Sequence, residues 1–361
     1  MSATRGKTVR TAALAGAAAA GAAAGAAALN RRVAQPAGSL PNPIGGEEGS
    51  YPWQGYQVAY TRRGAGPAVL LVHSVHAAAW SFEWRKNVDA LAAAGHTVYT
   101  LDLLGFGRSD RPPLGYTARL YVSLLLDFVR DVVAGSCALV GSSLGGAFVV
   151  AAAARDPERF PAVVLCTPVG VTRLSSPPTA VNDATAASIR APFVGEALFN
   201  ALVSRPSMSL FLRATYADDA KCTPDVVDAY WQSAHQPGAR FGPAAFVGMQ
   251  LNLNVRDAAR RLAQPVLITW GRQSKEVPES ELEAYRALVP HAEVAVFDPC
   301  GSLPHDEHAD RWNAAAGAFL QRALGSTAAV AADARPDAPA DAPADAPADA
   351  RPAAPVEAGA A

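Results

Sequence analysis

Short apolar runs alternate with longer amphipathic stretches through the middle of the chain, and the apolar runs have the length of β-strands. The amphipathic stretches, among them residues 82–94 and 118–134, are long enough to form the helices that connect parallel strands. This alternation predicts an α/β fold, a mostly parallel, twisted sheet with helices on both faces. The predicted strands are residues 56–62, 68–73, 97–102, 137–141, 162–167, 265–270 and 293–297.

Two interruptions of this rhythm predict further organisation. Residues 63–66 (Arg-Gly-Ala-Gly) separate the first two predicted strands and favour a hairpin turn between them. The strand pattern stops over residues 172–263, where prolines interrupt amphipathic helical stretches. We interpret this segment as a helical cap inserted into a single core that residues 51–171 and 264–324 form together.

Both ends of the chain have compositions unlike that of a folded core. An Ala- and Gly-rich apolar run over residues 11–29 follows a cationic start, which is typical of a secretion signal or a marginal membrane anchor. A leader of residues 1–35 is therefore expected to anchor the protein in a membrane or direct its secretion; if the leader is unstructured, the protein is cytoplasmic. Residues 325–361 repeat Asp-Ala-Pro-Ala and predict a disordered tail, because proline blocks helix formation.

Composition excludes some classes of function. The formal net charge is -1, and no cluster of cations interleaved with aromatic residues is present, so nucleic-acid binding is not expected. The 4 cysteines are far apart and lack the spacing of zinc ligands or of a disulfide framework. We expect neither a metal ion nor a cofactor.

The segment Gly-Ser-Ser-Leu-Gly at residues 141–145 lies between an apolar strand and a predicted helix over residues 147–155. This is the context of a nucleophile elbow, in which a serine occupies a strained turn and only small neighbours fit. The turn would expose the Ser143 hydroxyl at the carboxyl edge of the sheet. The N–H of Leu144, at the start of the helix, would face a developing oxyanion.

With this elbow the chain resembles the α/β-hydrolase superfamily over residues 51–324, especially its lid-bearing esterases and carbon–carbon bond hydrolases. Three further stretches carry the resemblance: His-Ser-Val-His at residues 73–76, Asp-Leu-Leu-Gly-Phe-Gly-Arg-Ser-Asp at residues 102–110, and Trp-Gly at residues 270–271.

The resemblance implies roles for the first of these stretches. It makes His73 a structural residue of the loop and the Val75 N–H the second oxyanion donor. Ser74 stands where the family usually has glycine. His76 lies near the expected mouth of the pocket, where it would either contact a ligand through its ring or form part of the rim.

Two members of the family's catalytic triad are replaced by serine. By position, Ser274 stands where the family has its acid, and Ser302 stands where it has its histidine. His305 matches the family's second, non-catalytic histidine and is a possible substitute base if the loop is reshaped. The nearby Glu276 and Glu279 are expected to open a helix, where carboxylates favour the helix dipole.

These residues leave three functions open. The first is a serine hydrolase with an incomplete triad and weak or rewired turnover of a small apolar substrate such as an ester. The second is a non-catalytic module that binds or senses a small ligand in the inherited pocket. The third is an envelope interaction protein that acts through its leader and tail.

Overall fold

The computed structural model describes residues 20–333 of the chain, with side chains to residue 325. Eight strands form one sheet, in the spatial order β1-β2-β4-β3-β5-β6-β7-β8. The six strands from β3 to β8 pair in parallel, while β1 and β2 are antiparallel to their neighbours. The strands are β1 (Glu47–Trp53), β2 (Tyr56–Arg63), β3 (Ala68–Val72), β4 (Thr97–Leu101), β5 (Cys137–Ser142), β6 (Val163–Cys166), β7 (Val266–Gly271) and β8 (Glu293–Phe297). The predicted α/β fold with a mostly parallel sheet is therefore confirmed.

Helices lie between the strands and at both ends of the described chain. They are α1 (residues 20–33), α2 (Val88–Ala93), α3 (Ala118–Phe128), α4 (Ser143–Ala153), α5 (Ala180–Arg190), α6 (Val194–Leu202), α7 (Arg205–Thr215), α8 (Pro224–Ala234), α9 (Phe241–Val247), α10 (Arg256–Arg260), α11 (Glu279–Leu288), α12 (Pro304–Glu307) and α13 (Ala309–Asp333). Short 3₁₀ helices span Ser81–Trp84 and Asp219–Lys221, and a π-helical turn at Val129–Val133 continues α3.

The predicted hairpin between the first two apolar runs is wrong. β2 pairs with β1 and β4, and β3 lies between β4 and β5, so residues 63–66 connect strands that are not neighbours. The hairpin is formed by β1 and β2 instead, across Gln54 and Gly55, which both have positive φ. Sequence patterning missed β1 because charged residues and Pro52 break its alternation of apolar and polar positions.

The sheet is covered on both faces, and its central strands are buried. Apolar side chains of α3 and α4 pack on one face, while those of α2 and α13 pack on the other. Every residue of β5 is buried, as expected for a central parallel strand with helices on both sides. The carboxyl end of β5, where the elbow begins, therefore lies in a fully buried part of the sheet.

Helices α5 to α10 follow β6 and precede β7, within the segment predicted as a cap. Their inner side chains form a separate apolar cluster that includes Met208, Leu212 and Tyr230. This cluster packs on Ala78 and Trp80, which follow β3. The segment after β6 therefore lies over the carboxyl edge of the sheet.

The predicted leader and tail fall only partly within the described chain. Residues 20–33 form α1, and Asn30 at its end bonds to the Phe193 carbonyl and the Asn200 side chain, each at 3.0 Å. No helix within residues 20–333 is both long enough and apolar enough to span a bilayer. Helix α13 continues to Asp333, past the expected start of the tail. The leader's residues 1–19 and the tail's residues 334–361 lie outside the described residues.

Candidate functional site

Ser143 occupies a strained backbone position between β5 and α4. Its φ is 49°, in the left-handed region that residues other than glycine rarely adopt. Small neighbours make this turn possible. A Cβ on Gly145 would lie 2.3 Å from the His73 carbonyl oxygen, and one on Gly141 would lie 2.8 Å from the Gly146 Cα. The spacing of small residues thus produces the elbow, and it brings α4 against the loop after β3.

Ser143 lines a cavity of about 170 Å³ beneath the cap helices. This volume is close to the ~150 Å³ of an engineered apolar cavity that holds benzene. Most of the wall surface is apolar, and polar side chains lie among the apolar ones, which is typical of a small-molecule site. The lining residues are Ser74, Val75, His76, Ser143, Thr167, Val169, Arg173, Leu174, Phe211, Leu212, Thr215, Tyr230, Phe246, Glu276, Val277, Ser302 and Leu303.

Two backbone N–H groups beside the elbow are available to an oxyanion. Over residues 20–333, neither the Val75 N–H nor the Leu144 N–H has a hydrogen-bond acceptor in the protein. Val75 lines the cavity, and Leu144 directly follows Ser143 at the start of α4. Free N–H groups next to a nucleophile stabilise the negative charge that forms on a carbonyl oxygen.

The loop that carries Val75 is held by buried hydrogen bonds. The Leu103 N–H donates to His73 Nε2 at 3.1 Å, so the other ring nitrogen carries the proton and donates to the Ser74 carbonyl at 2.6 Å. Burial lowers the pKa of His73, although the charge of Asp102 opposes this shift, which agrees with a neutral structural imidazole. Ser74 donates to Glu83 Oε2 through its N–H at 2.9 Å and its hydroxyl at 2.5 Å.

The two serines that the family resemblance assigns to the acid and base positions contact each other. Ser274 follows β7, Ser302 follows β8, and their hydroxyl oxygens lie 2.9 Å apart. The Val277 N–H donates to the Ser274 hydroxyl at 3.2 Å, and the Ser302 N–H donates to the Thr215 carbonyl at 2.9 Å. Ser302 lines the cavity, whereas Ser274 is not among the residues that line it. The loops after β7 and β8 therefore meet at these serines, and neither hydroxyl accepts a proton readily at neutral pH.

Glu276 is a cavity residue that sequence reasoning assigned to a helix start. Helix α11 begins only at Glu279, which is exposed and lies 3.8 Å from Arg272. Glu276 is half-buried, and the Thr215 hydroxyl donates to its Oε1 at 3.1 Å. Burial raises the pKa of Glu276, and hydrogen bonds from Thr215 and Ser302 oppose that shift. The sequence signal that could have identified Glu276 as a cavity residue is its position two residues after Ser274, on the same loop.

His305 lies outside the residues that line the cavity. Its side chain is fully buried, its ring centroid lies 4.4 Å from that of Trp84, and its Nε2 lies 2.9 Å from Glu83 Oε1. Burial disfavours the charged ring, but interactions with Cys166 and Glu83 outweigh it and raise the pKa of His305 from 6.5 to about 10. A charged imidazole that is already paired with a carboxylate is poorly suited to act as a base.

His76 is the histidine that the structure places in the cavity wall. Its ring contacts Phe211 and Tyr230, with centroid separations of 5.3 Å and 5.4 Å. Burial lowers the pKa of His76 from 6.5 to about 4, so the ring is neutral at pH 7. The Ala78 N–H donates to its Nδ1 at 3.3 Å, which leaves Nε2 as the protonated nitrogen.

Among residues 20–333, no three His, Cys, Asp or Glu side chains come together as a metal ion would require. The polar groups that line the cavity include the hydroxyls of Ser143, Ser302 and Thr215, the carboxyl group of Glu276 and the imidazole of His76. These groups, with the two free N–H donors, suit chemistry at a carbonyl carbon.

Comparison with known proteins agrees with this fold. A family model described as the alpha/beta hydrolase fold matches residues 67–309. The chain is 27% identical over 267 residues to 2-hydroxy-6-oxo-6-phenylhexa-2,4-dienoate hydrolase of Burkholderia cepacia, covering 72% of this chain and 89% of that protein. It is 26% identical over 285 residues to 2-hydroxy-6-oxo-6-(2'-aminophenyl)hexa-2,4-dienoic acid hydrolase of Metapseudomonas resinovorans, covering 77% and 92%.

A similar solved structure is a meta-cleavage product hydrolase from Pseudomonas fluorescens. It superposes with a TM-score of 0.63 at 23% identity, covering 78% of this chain and 99% of that one. At this identity the likeness supports the fold.

Proposed function

Because the chain belongs to the α/β-hydrolase fold family, we propose that it binds a small, largely apolar ester or ketone and acts on it weakly as a serine hydrolase. In this proposal Ser143 is the nucleophile, and the N–H groups of Val75 and Leu144 hold the carbonyl oxygen. The fold hosts many activities, so the argument depends on the site.

The observation that carries the proposal is the strained elbow beside two free N–H groups. A φ of 49° at a serine costs about 1–3 kcal/mol, and such strain is typical of functional sites. The chain also has the glycines that the turn requires, at positions 141 and 145.

The cavity supports a ligand that contains a ring-sized apolar group. Phe211, Phe246 and Leu174 contribute apolar walls, and about 170 Å³ accommodates one aromatic ring. Arg173 also lines the cavity, and within the described residues its guanidinium forms no ion pair. The curated relatives are named for 2-hydroxy-6-oxo-dienoates, which combine a ketone with a carboxylate. A ketone with an acidic group is therefore a second probe beside an aryl ester.

Weak turnover is expected because Ser274 and Ser302 occupy the acid and base positions. In a serine protease, loss of the histidine alone lowers kcat about 10⁶-fold, and the oxyanion hole and binding retain about 10³–10⁴-fold over water. The groups retained here, Ser143 and the two N–H donors, belong to that residual part.

The test is hydrolysis of p-nitrophenyl acetate by the full chain and by its Ser143→Ala variant, each at micromolar protein concentration. We expect slow release of p-nitrophenol by the wild type, and release at the uncatalysed rate with the variant. Ser175→Ala, which changes an exposed hydroxyl that donates to the Thr172 carbonyl at 3.0 Å, is the matched control. Equal rates for the wild type and Ser143→Ala would refute the hydrolase proposal.

A non-catalytic binding function is the second candidate, and one observation favours it. The hydroxyls of Ser274 and Ser302 bond to each other at 2.9 Å, and neither offers Ser143 a base. In that case phenyl acetate and its non-hydrolysable ketone analogue would bind equally well to the wild type and Ser143→Ala, with no product released. Calorimetry of both ligands separates this function from hydrolysis.

The envelope interaction function remains a prediction, since it depends on segments that reach beyond residues 20–333. Deletion of residues 334–361 would then reduce capture of a cell-envelope partner while leaving ligand binding unchanged. Unaltered partner capture would contradict it.

A further inference from the structure

One corner of the cavity concentrates groups that exchange protons. Glu276, Thr215 and Ser302 all line it, and Thr215 donates to Glu276 Oε1 at 3.1 Å. The Ser302 hydroxyl lies 2.9 Å from that of Ser274, which ties the corner to the loop that carries Glu276. A carboxyl group therefore shares the cavity with Ser143, joined to the vacated base position by a cluster of hydroxyls.

The carboxyl group of Glu276 has no cationic partner among the described residues. Within residues 20–333, no lysine, arginine or histidine side chain forms an ion pair with Glu276. The other titratable groups that line the cavity are His76, Arg173 and Tyr230. Burial dominates and raises the pKa of Glu276, which makes its carboxylate a stronger base than an exposed one.

The start of helix α11 does not require a carboxyl group at position 276. Helix α11 begins three residues later and already has Glu279 and Glu281 in its first turn. Burying a carboxylate without a cationic partner costs free energy, which the hydrogen bond from Thr215 offsets only in part. A buried acid with a shifted pKa in a cleft is a typical candidate for acid–base catalysis.

We propose that Glu276 is the general base and acid of this site, in place of the imidazole that Ser302 replaces. The inference rests on the proposed serine-hydrolase function and names the residue that makes turnover possible. Because Glu276 lies in the cavity wall, it would contact the substrate and is offered as a catalytic residue.

The proposed step balances its protons and electrons. The Ser143 O–H bond breaks as Oγ bonds to the substrate carbonyl carbon, and the proton passes to the Glu276 carboxylate, directly or through the Ser302 hydroxyl. The carbonyl π electrons move to the oxygen held by the Val75 and Leu144 N–H groups. Collapse of this intermediate expels the alcohol, which takes the proton from Glu276. Water then attacks the acyl group in the same way and regenerates the enzyme.

The experiment compares p-nitrophenyl acetate hydrolysis by the wild type, Glu276→Gln and Glu279→Gln between pH 4 and 9. General acid–base catalysis contributes about 10²–10⁴-fold, so Glu276→Gln should lower kcat by about that factor. The wild-type rate should rise with pH through an inflection above 4.5, the ordinary glutamate pKa, and the inflection should be absent in Glu276→Gln. Glu279→Gln, at an exposed position on the same segment, should match the wild type.

Glu276→Ala with added formate provides a second test that does not depend on the glutamine variant folding well. Formate in the vacated space should restore part of the rate in Glu276→Ala, and should leave the wild-type rate unchanged. Thermal unfolding of each variant shows whether the fold is retained.

The outcomes separate this inference from the proposed function. Ser143-dependent turnover that is equal in the wild type and Glu276→Gln, with the same pH inflection, overturns the role of Glu276 and leaves the hydrolase proposal standing. Absence of Ser143-dependent turnover in the wild type overturns both, since no proton transfer then occurs. Ser143-dependent turnover with loss of rate and inflection in Glu276→Gln, and rescue by formate, supports both.

Discussion

The hydroxyl oxygens of Ser274 and Ser302 lie 2.9 Å apart, which joins the loops that follow β7 and β8. In the resemblance to the α/β-hydrolases, these two positions belong to the acid and the histidine. Their contact shows that the loops after β7 and β8 meet at these two serines. If the positional match to the family is right, the chain differs from a complete triad in the side chains at these positions and keeps the contact between the loops.

This relationship predicts that catalytic groups can be restored in place. The double change Ser274→Asp with Ser302→His should raise kcat/KM for p-nitrophenyl acetate by about 10²–10⁴-fold, because an oriented imidazole supplies general acid–base catalysis. Stopped-flow or plate assays of product release measure the gain.

The single changes are the controls for that prediction. Ser302→His alone should gain less than the double variant, since no carboxylate then orients the imidazole. A double variant as slow as the wild type, with the fold retained, would contradict the assignment of these positions.

The buried pair of His305 and Glu83 predicts a pH dependence of stability. The pKa of His305 is raised from 6.5 to about 10, so its stabilising contribution is complete below pH 6.5 and is lost as the pH rises through about 10. The free energy of unfolding of the wild type, measured with urea, should fall between pH 6.5 and 10. His305→Gln should be less stable at pH 6, by about 3–5 kcal/mol if Glu83 is left unpaired.

The difference between wild type and His305→Gln should therefore shrink as the pH approaches 10. His291→Gln is the control, because this exposed histidine bonds only to the Gln264 carbonyl, at 3.1 Å. A gap that stays constant from pH 6 to 10 would show that His305 is not charged in the folded protein.

The close approach at Gly145 predicts that a single methyl group disrupts the elbow. A Cβ there would lie 2.3 Å from the His73 carbonyl oxygen, so Gly145→Ala should destabilise the fold by at least about 2 kcal/mol. Gly317→Ala, in α13, is the control, since its nearest neighbour would be the Ala94 Cβ at 3.8 Å. It should be neutral or more stable by about 0.5–1 kcal/mol, because alanine favours a helix. Urea unfolding of both variants measures the contrast.

Removing the Ser74 hydroxyl should weaken the loop that carries Val75 and lower the free energy of unfolding. Ser74→Ala removes the 2.5 Å bond to Glu83 Oε2 but keeps the backbone bond at 2.9 Å. We expect a loss of about 1–3 kcal/mol in the free energy of unfolding, since a buried carboxylate then lacks one donor. Ser175→Ala, at an exposed position, should stay within about 0.5 kcal/mol of the wild type. Equal stabilities of the two variants would argue against a role for this bond.

Local patterning predicted much of the fold. The seven predicted strands are all present, with bounds within about two residues, because buried parallel strands are short continuous apolar runs. The elbow was also predictable, since strain at Ser143 requires small residues at fixed spacing. The hairpin was assigned to the wrong pair of strands, because a turn sequence does not record which strands pair.

The sequence by itself determined the α/β architecture and the elbow, since these depend on residue type and spacing along the chain. Only the tertiary structure decided which distant side chains share the cavity. It placed Glu276 beside Thr215, and it buried His305 against Glu83, 222 residues away in sequence. Such contacts depend on how loops from different strands converge at one edge of the sheet, and linear spacing carries no record of that convergence.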